Sequence, residues 1–356
     1  MSNSHILWPN HAKCAVLLTI HVDGESLYNR DPAHPSPRRV SYGRYGPVRA
    51  VDRLLELADR KKIPCSYFVP GQIAERYPDM LRRIDACGHE IGFHGYDHEE
   101  HMYTDRPTQA WMDVIRRSQE TFDRIIGKQA VGFVATSSDF QMDAPQIWHE
   151  QLGFQYSSSM RGDDRPYRMC FQGKKSDFIE IPARWELDDY PAFVYSFQPP
   201  QPKGQDRISS YRGVLSNWKH EFEGYYAEGG CMTFMLHPQI IGIPGRAQML
   251  EELLDVMLAK DLPEIGDVRG HGLAIGIELV VPDGSKNPDR ALAQKVVYQA
   301  WKEGLVVYYV GGNVLEITPP LIITRDEITC AVEKLSLAIR NAPKVTREEI
   351  QPYAGW

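Results

Sequence analysis

The residues best suited to chemistry in this sequence are two histidines four positions apart, His94 and His98, in the phrase HGYDH. Two imidazoles at this spacing can bind one metal ion when the backbone between them curls like a helical turn, and Zn²⁺ readily accepts neutral imidazole nitrogen. The pair follows the apolar run 89–94, which reads as a strand, so it lies where a strand ends and a loop begins. By itself, an HxxxH pair more often belongs to a solvated loop than to a metal site.

The first predicted strand, residues 14–20, also leads into a side chain that can bind metal, the carboxylate of Asp23. Parallel strands end at one common edge of a sheet, so this carboxylate would lie beside the two imidazoles. Asp23, His94 and His98 would then form an open three-ligand site for a divalent metal, with Zn²⁺ the expected ion and one position left for water.

The last predicted strand of this series, residues 230–236, is followed by His237 at the same predicted edge. An imidazole, whose pKa is about 6.5, is suited to protonate an amine leaving group. Asp23 as a helix cap, or His237 as an ordinary loop residue, would each be unremarkable alone. Four such groups on three strand ends favour a functional site.

These strand ends belong to a regular alternation of short apolar runs with longer segments of 3.6-residue periodicity. The pattern predicts seven strands joined by helices, and hence an α/β fold with a parallel sheet that is open or rolled into a barrel. The predicted strands are residues 14–20, 65–70, 89–94, 131–135, 154–158, 178–181 and 230–236, and the predicted helices include residues 48–62, 107–127 and 211–230.

Two long segments, residues 24–47 and 182–210, lack periodicity and are rich in Pro, Gly, Tyr and Arg. We interpret both as loops. Loops of this length usually line a functional site, although the second could equally be a partner surface.

Beyond Lys260 the pattern changes to strand, helix, strand, strand and helix, which predicts a small α+β unit over residues 261–342. The tail, residues 343–356, is expected to be poorly ordered. A small sheet of this kind exposes edges that invite pairing, so the unit should either cover the open edge of the first domain, residues 1–260, or support a homo-oligomer.

Composition bounds the function. Forty Lys and Arg against forty-seven Asp and Glu give a net charge of -7, with the signs interspersed, which argues against nucleic-acid and anionic-membrane partners. The six cysteines are scattered without a CxxC pair and are expected to be reduced, mainly in the core. No stretch reaches the roughly 18 apolar residues of a membrane span, so we expect a cytoplasmic protein with a small-molecule substrate.

Residues 8–260 resemble the NodB-type polysaccharide deacetylase superfamily. The phrases YFVPGQIAERYP, GHEIGFHGYDHE, GFVA and IEIPARWELDDYP carry the resemblance, together with the first strand ending at Asp23 and the Leu236-His237 pair. It implies an incomplete or distorted (β/α)7 barrel, with Asp23, His94 and His98 on the metal and His237 as general acid.

Within the superfamily, the sequence is most similar to a branch of allantoinase-like, cyclic-imide-hydrolase-like and atypical peptidoglycan-deacetylase-like enzymes. That similarity implies hydrolysis of a non-peptide carbon–nitrogen bond in a small amide, imide or ureide. Two alternatives stay open: an N-acetyl-sugar or peptidoglycan deacetylase, and an inactive binding or regulatory protein.

The sequence departs from the family pattern at the general base, because Val22 stands where the family usually has an aspartate directly before the metal aspartate. A strand has a period of two, so His21 and not Val22 shares a face with Asp23. His21 is therefore the first candidate for the base or for an extra metal contact, with Glu25 and Asp139 as further candidates.

A second departure is the loss of the usual RxPY motif after the fourth strand, where this sequence has Ala135-Thr-Ser-Ser-Asp139. The loss removes an arginine that sugar deacetylases use and argues against a polysaccharide substrate. Ser137, Ser138 and Asp139 become candidate substrate contacts, with backbone N–H groups of this loop available to an oxyanion.

The resemblance also implies roles for three residues after the sixth strand. Trp185 would line the pocket, and Asp188 or Asp189 would orient His237. Alternatively, Trp185 is a core residue and the two aspartates cap a turn.

Residues 262–342 resemble the small C-terminal domain of class III pyridoxal-phosphate aminotransferases, through GDVRGHGLAIGIELV and NVLEITPPLIIT. The cofactor-binding large domain has no counterpart in residues 1–260, and Glu316 stands where many members carry an arginine. We therefore expect no functional pyridoxal-phosphate site. The two resemblances meet within one helix, as a natural fusion or a join made during gene assembly would produce.

Overall fold

The computed structural model describes residues 8–9, 12–28, 36–98, 108–136, 140–194, 208–259, 264–283 and 285–353. Two compact units make up the chain, Met1–Leu254 and Asp255–Trp356. The division falls inside the helix Pro244–Ala259. No helix in the described ranges is both long and apolar enough to cross a bilayer.

The first unit is built on a sheet that has eight strands within the described residues. In chain order these are β1 (Ala15–His21), β2 (Ser66–Val69), β3 (Glu90–Phe93), β4 (Gly132–Phe133), β5 (Tyr156–Ser157), β6 (Tyr167–Phe171), β7 (Lys174–Glu180) and β8 (Cys231–Leu236). Their order in the sheet is β6-β7-β5-β4-β3-β2-β1-β8, and each pair is parallel except β6 with β7.

The sheet is curled into an incomplete barrel. Its edges are β8 and β6, yet the loop that follows β7 forms a parallel bridge from Asp188 to Met235 on β8. One bridge across the gap brings the two ends of the sheet together without closing it. This architecture confirms the predicted α/β class and the incomplete barrel.

Each of the seven predicted strands is present, and the structure adds β6, which the sequence analysis missed. β6 is antiparallel to β7 across a two-residue turn in which Gln172 and Gly173 have positive φ. A turn of this kind matches the twist of a hairpin, and glycine adopts it without strain. The Gln-Gly pair was therefore an available signal for the extra strand.

Helices cover the outer face of the sheet. They are α1 (Pro37–Tyr45), α2 (Val51–Lys61), α3 (Gly71–Arg76), α4 (Pro78–Ala86), α5 (Met112–Ile126), α6 (Ala144–Leu152), α7 (Asp189–Phe193), α8 (Tyr211–Glu228), α9 (Pro238–Ile241) and α10 (Pro244–Ala259). In α2 the buried residues Leu54, Leu57 and Ala58 recur at helical spacing, which gives this crossover its apolar face.

The two long segments predicted to be loops contain helices, so that prediction was wrong in part. In the first, the Ser36 hydroxyl accepts a hydrogen bond from the Arg39 N–H and Pro37 occupies the first turn, which starts α1 without apolar periodicity. In the second, α7 begins after Asp188, while residues 195–207 lie outside the described ranges.

Glycines on β3 and β4 make room for large rings inside the barrel. A Cβ at Gly92 would come within 2.4 Å of the Phe68 ring, and one at Gly132 within 2.0 Å of the Tyr156 ring. The neighbouring Phe93 and Phe133 point the other way, and both are fully buried beneath the helices. The barrel is therefore filled below the edge at which β3 ends.

The second unit has four antiparallel strands, β9 (Ile265–His271), β10 (Ala274–Leu279), β11 (Tyr308–Val310) and β12 (Val314–Ile317), in the order β11-β12-β10-β9. Its helices are α11 (Arg290–Lys302), α12 (Arg325–Asn341) and α13 (Arg347–Ile350). Leu279, Val296, Leu315 and Ile339 form part of its core. The strand predicted at the start of this second unit is in fact a hairpin of two strands, β9 and β10.

Two smaller expectations also need correction. The chain continues in helical turns through Tyr353, with a capping box at Thr346 and Glu349, where a poorly ordered tail was expected. Among the cysteines, Cys65 and Cys231 are buried, but three are exposed: Cys87, Cys170 and Cys330.

Candidate active site

The sheet register brings the predicted metal ligands to one edge. His21 on β1 pairs with Phe68, and Phe68 pairs with Gly92 on β3. Two residues further along each strand, Asp23 and His94 therefore lie on the same face at the same height. The pairing register and the alternation of side chains along a strand therefore place the Asp23 carboxylate beside the His94 imidazole.

Asp23, His94 and His98 converge on a small volume. The Nε2 atoms of His94 and His98 lie 3.4 Å and 3.7 Å from Asp23 Oδ1. Two ligand atoms on a tetrahedral zinc ion, each about 2.0 to 2.2 Å from it, are about 3.3 to 3.6 Å apart. The spacing therefore fits a shared divalent ion.

The Asp23 carboxylate is fully buried, and neither of its oxygens has a hydrogen-bond partner among the residues that the structure describes. A buried carboxylate normally accepts several hydrogen bonds or binds a metal, because burying it unpaired is costly. Burial opposes its charged form, but His98 and His237 nonetheless hold the pKa of Asp23 well below its usual value. The Asp23 carboxylate is thus a buried anion that is suited to bind a metal cation.

Both histidines direct a ring nitrogen towards Asp23. His94 Nδ1 donates to the Val134 carbonyl at 2.8 Å, which fixes the ring and leaves Nε2 free for a metal. Burial lowers the pKa of His98 to about 4, so this ring is neutral at neutral pH. The backbone from Gly95 to His98 turns through left-handed conformations, with φ of 76° and 60° at its ends, rather than through a helical turn.

His237 is held by Asp189. Its Nδ1 lies 2.6 Å from Asp189 Oδ1, and its backbone N–H donates to Oδ2 at 2.9 Å. Asp188 is 3.7 Å from the same nitrogen and accepts the Tyr190 N–H at the start of α7. Of the two predicted acids, Asp189 therefore orients the imidazole and Asp188 caps the helix.

The surroundings of His237 favour the cationic form of its ring. Burial opposes the charge, but Asp189 and Asp23 outweigh it and raise the pKa of His237 to about 10. Its Nε2 lies 3.7 Å from Asp23 Oδ2, so the proton that it carries faces the candidate metal site. The arrangement can supply a proton to a group bound there.

His21 lies on the site face, as strand alternation predicted. The Thr19 hydroxyl donates to the Phe234 carbonyl at 2.5 Å, so its oxygen must accept the 3.1 Å hydrogen bond from His21 Nε2. This leaves Nδ1 of His21 as the unprotonated nitrogen. Burial lowers the pKa of His21 well below its usual value, which keeps the ring neutral.

The other base candidates are less available. Val22 is fully buried on the opposite face. Glu25 Oε1 accepts the Tyr77 hydroxyl hydrogen bond at 2.5 Å and lies 3.5 Å from Arg76. Asp139 lies outside the described residues, as do the candidate substrate contacts Ser137 and Ser138. Glu25 Oε2 also lacks a hydrogen-bond partner in the described ranges, but Oε1 of the same carboxylate is already held by Tyr77, so we favour His21 as the base.

Trp185 is not a core residue, because 64% of its surface is exposed. It lies in a short 3-10 turn before α7, and the Arg161 guanidinium stacks on its ring at 4.4 Å. The sequence analysis did not single out Arg161.

Ser158 is a second residue that the sequence analysis missed. On neighbouring strands, Phe93 pairs with Phe133, and Phe133 pairs with Ser157. One residue further, His94 and Ser158 occupy equivalent positions on the inner face, two strands or about 10 Å apart. The Ser158 hydroxyl is buried without a hydrogen-bond partner in the described ranges. The alternation in the run 154–158 could have placed Ser158 on the inner face, but it could not have shown that its hydroxyl is unpaired.

Comparison with known proteins follows the division into two units. The polysaccharide deacetylase family profile matches residues 45–157. A peptidoglycan deacetylase from Helicobacter pylori is 28% identical over 247 residues, or 62% of this chain and 81% of that protein.

Solved structures agree. A structure described as a polysaccharide deacetylase from Mycobacterium smegmatis is 32% identical, with a TM-score of 0.66 over 73% of this chain and 89% of that chain. The PuuE allantoinase structure, 21% identical, shares the fold with a TM-score of 0.62 over 72% of this chain and 88% of that chain. The fold and site thus define a hydrolase of carbon–nitrogen bonds other than peptide bonds. Through its first unit, the chain belongs to the polysaccharide deacetylase family.

The second unit has different relatives. The class III aminotransferase profile matches residues 244–339, and a leucine/methionine racemase from Thermococcus litoralis is 40% identical over 94 residues. That alignment covers 26% of this chain and 21% of the racemase, so the chain spans about a fifth of that enzyme's length. The second unit is thus similar to part of the class III aminotransferases, and the match begins at the first residue of α10.

Proposed function

We propose that this protein is a divalent-metal-dependent hydrolase that cleaves a non-peptide carbon–nitrogen bond in a small amide, imide or ureide. The observation that carries the proposal is the buried Asp23 carboxylate, which has two imidazole nitrogens within 3.7 Å and no hydrogen-bond partner among the described residues. Zn²⁺ is the expected ion, because the donor set is two imidazole nitrogens and one carboxylate oxygen.

A divalent ion held by Asp23, His94 and His98 would supply a Lewis acid that acidifies a bound water and polarises the scissile carbonyl. His21 Nδ1 would accept the proton of the attacking water, since it is the unprotonated nitrogen of a neutral ring on the site face. His237 Nε2 would donate a proton to the departing nitrogen. Asp189 holds this imidazole in the orientation that the transfer requires.

The choice of a small substrate rests on the residues around this centre. Ala135 stands where sugar deacetylases carry the first residue of their RxPY motif, so the arginine of that motif is missing. A structure with the same fold carries the name allantoinase, which supports a ureide among the candidate substrates. Both points favour a compact amide, imide or ureide over a polymer.

N-acetyl-sugar or peptidoglycan deacetylation is the second candidate, and the name of the Helicobacter pylori relative supports it. Acetate release from N-acetylglucosamine oligomers, measured beside ring opening of cyclic imides and ureides, separates the two. Turnover of the cyclic compounds without acetate release would support the first proposal. Acetate release alone would replace it with the second.

The third candidate is a binding or regulatory protein without hydrolytic activity. Elemental analysis of protein purified without added chelator addresses it directly. About one equivalent of zinc or another divalent metal per chain would support the hydrolase. A metal-free protein that does not take up metal on dialysis would leave the binding role.

A further inference from the structure

Arg161 lies in the segment that follows β5, with its guanidinium on the Trp185 ring. Its Nε and Nη2 atoms are buried and have no hydrogen-bond partner within the described residues. The remaining nitrogen, Nη1, donates to the Ser159 carbonyl across a long 3.5 Å contact. A partly buried cation with one long hydrogen bond is unusual, because burying an uncompensated charge is costly.

Neighbouring arginines show how the fold pairs such groups when they are structural. Arg165 lies 3.6 Å from Asp163, and Arg184 lies 2.6 Å from Asp164. Arg161 forms no ion pair of this kind with the residues that the structure describes. The charges of Asp188, Glu186 and Glu180 act on Arg161, but none of these carboxylates forms an ion pair with it.

The positions of the unpaired Nε and Nη2 atoms of Arg161 indicate which kind of ligand they could bind. Nε–H and Nη2–H point in the same direction and form the edge of a guanidinium that binds both oxygens of a carboxylate. Stacking on Trp185 fixes the plane of the group, so the edge is preorganised. The geometry fits a planar oxyanion better than a single acceptor atom.

Arg161 follows β5 and Trp185 follows β7, so both lie at the edge of the sheet where the candidate metal ligands follow β1 and β3. Burial lowers its pKa, and Asp188 is the largest electrostatic influence in the opposite direction. Asp188 in turn lies 3.7 Å from His237 Nδ1. An anion bound at Arg161 would therefore lie at the same edge of the sheet as the candidate metal site.

We infer that the Nε–Nη2 edge of Arg161 binds a carboxylate carried by the substrate, and hence that the protein acts on acidic amides or ureides. The inference rests on the proposed hydrolytic function. Arg161 would be a specificity-determining residue, with Trp185 as the support of its guanidinium.

A matched pair of compounds tests this: N-carbamoylglycine, which has a carboxylate, and N-carbamoylglycinamide, which has a neutral amide in its place. Binding to the metal-loaded protein is measured by calorimetry and hydrolysis by steady-state kinetics. The variants are Arg161→Met, Arg161→Lys and, as control, Arg184→Met. We expect the wild type to prefer the acid, and Arg161→Met to weaken acid binding and raise its KM by about 10- to 100-fold, with little effect on the amide.

Arg161→Lys should recover part of the preference, because it keeps the charge but loses the two-pronged edge. Arg184→Met should leave the preference unchanged. Equal wild-type affinity for acid and amide, no binding of either, or equal effects of Arg161→Met and Arg184→Met would overturn the inference. Acid-selective binding that depends on Arg161, without hydrolysis of any compound, would support this subsite while contradicting the proposed function.

Discussion

His237 and Asp189 are joined twice, once through the imidazole Nδ1 at 2.6 Å and once through the backbone N–H of His237 at 2.9 Å. One carboxylate thereby fixes both the position of the histidine's backbone and the orientation of its ring. The contact joins the end of β8 to the start of α7, which follows the loop after β7.

Asp189→Asn should keep the metal and lower kcat by about 10²- to 10⁴-fold, the usual contribution of general acid–base catalysis. An amide does not supply the negative charge that raises the pKa of His237, and its NH₂ group competes with the imidazole N–H. Steady-state kinetics and metal analysis measure both effects. Asp188→Asn is the matched control and should have a smaller effect. Equal losses in the two variants would contradict the assignment of Asp189.

His94→Ala and His98→Ala should each lose bound metal, whereas His237→Ala should keep the metal and lose turnover. Ligands set metal affinity, while a proton donor acts on the leaving group. Elemental analysis after gel filtration gives the metal content of each variant. The exposed His220 provides a control, and His220→Ala should behave as wild type. Full activity of His237→Ala on an unactivated amide would show that the acid lies elsewhere.

His21→Gln should retain metal and lose activity by about 10²-fold or more, because glutamine cannot accept and hold a proton. A loss of metal in this variant would instead identify His21 as an additional ligand. Thr19→Val is the companion variant. It removes the hydroxyl that fixes the tautomer of His21, so activity should fall less than in His21→Gln while the metal remains.

Ser158→Ala should lower kcat/KM without destabilising the protein. Its hydroxyl is buried without a partner among the described residues, so its removal relieves an uncompensated polar group. Ser159→Ala should destabilise the protein and have little effect on kcat/KM. The Ser159 hydroxyl accepts the Ala135 N–H at 3.0 Å, and its loss should cost about 1 to 3 kcal/mol of unfolding free energy. Chemical denaturation and kinetics of both variants give the comparison. A destabilised but fully active Ser158→Ala would assign Ser158 a structural role.

The second unit should show no pyridoxal-phosphate chemistry. A Schiff base needs a lysine beside the cofactor, a phosphate site and an acid near the ring nitrogen, and this chain spans about a fifth of the racemase that it matches. Pyridoxal phosphate added to the purified protein should give no borohydride-trappable absorption band. A trapped adduct at one lysine together with transamination would contradict this expectation.

Much of the fold could be predicted from sequence because its signals are local. Seven apolar runs bounded by turn residues identify seven strands, and the period of two places His21 with Asp23 on one face. The segment around α1 was misread because its nine residues lack an apolar stripe. A capping serine and a first-turn proline start this helix, and both are weaker signals than periodicity.

Side-chain partners were harder to predict than strand ends. Asp188 and Asp189 are adjacent in sequence, and the orientation of the turn before α7 decides which of them binds His237. Arg161 and Ser158 were missed for a related reason. Their significance lies in the partners that they lack in the folded chain, and an unpaired hydrogen-bonding atom leaves no mark on a sequence.

The gap in the barrel, crossed by a single bridge between Asp188 and Met235, separates the candidate metal ligands from the carboxylate that holds the proton donor. The candidate metal ligands follow β1 and β3, which lie within the continuous part of the sheet, whereas Asp189 approaches His237 from the far side of the gap. Opening of this junction would release the proton donor from its carboxylate and leave the ligand cluster intact.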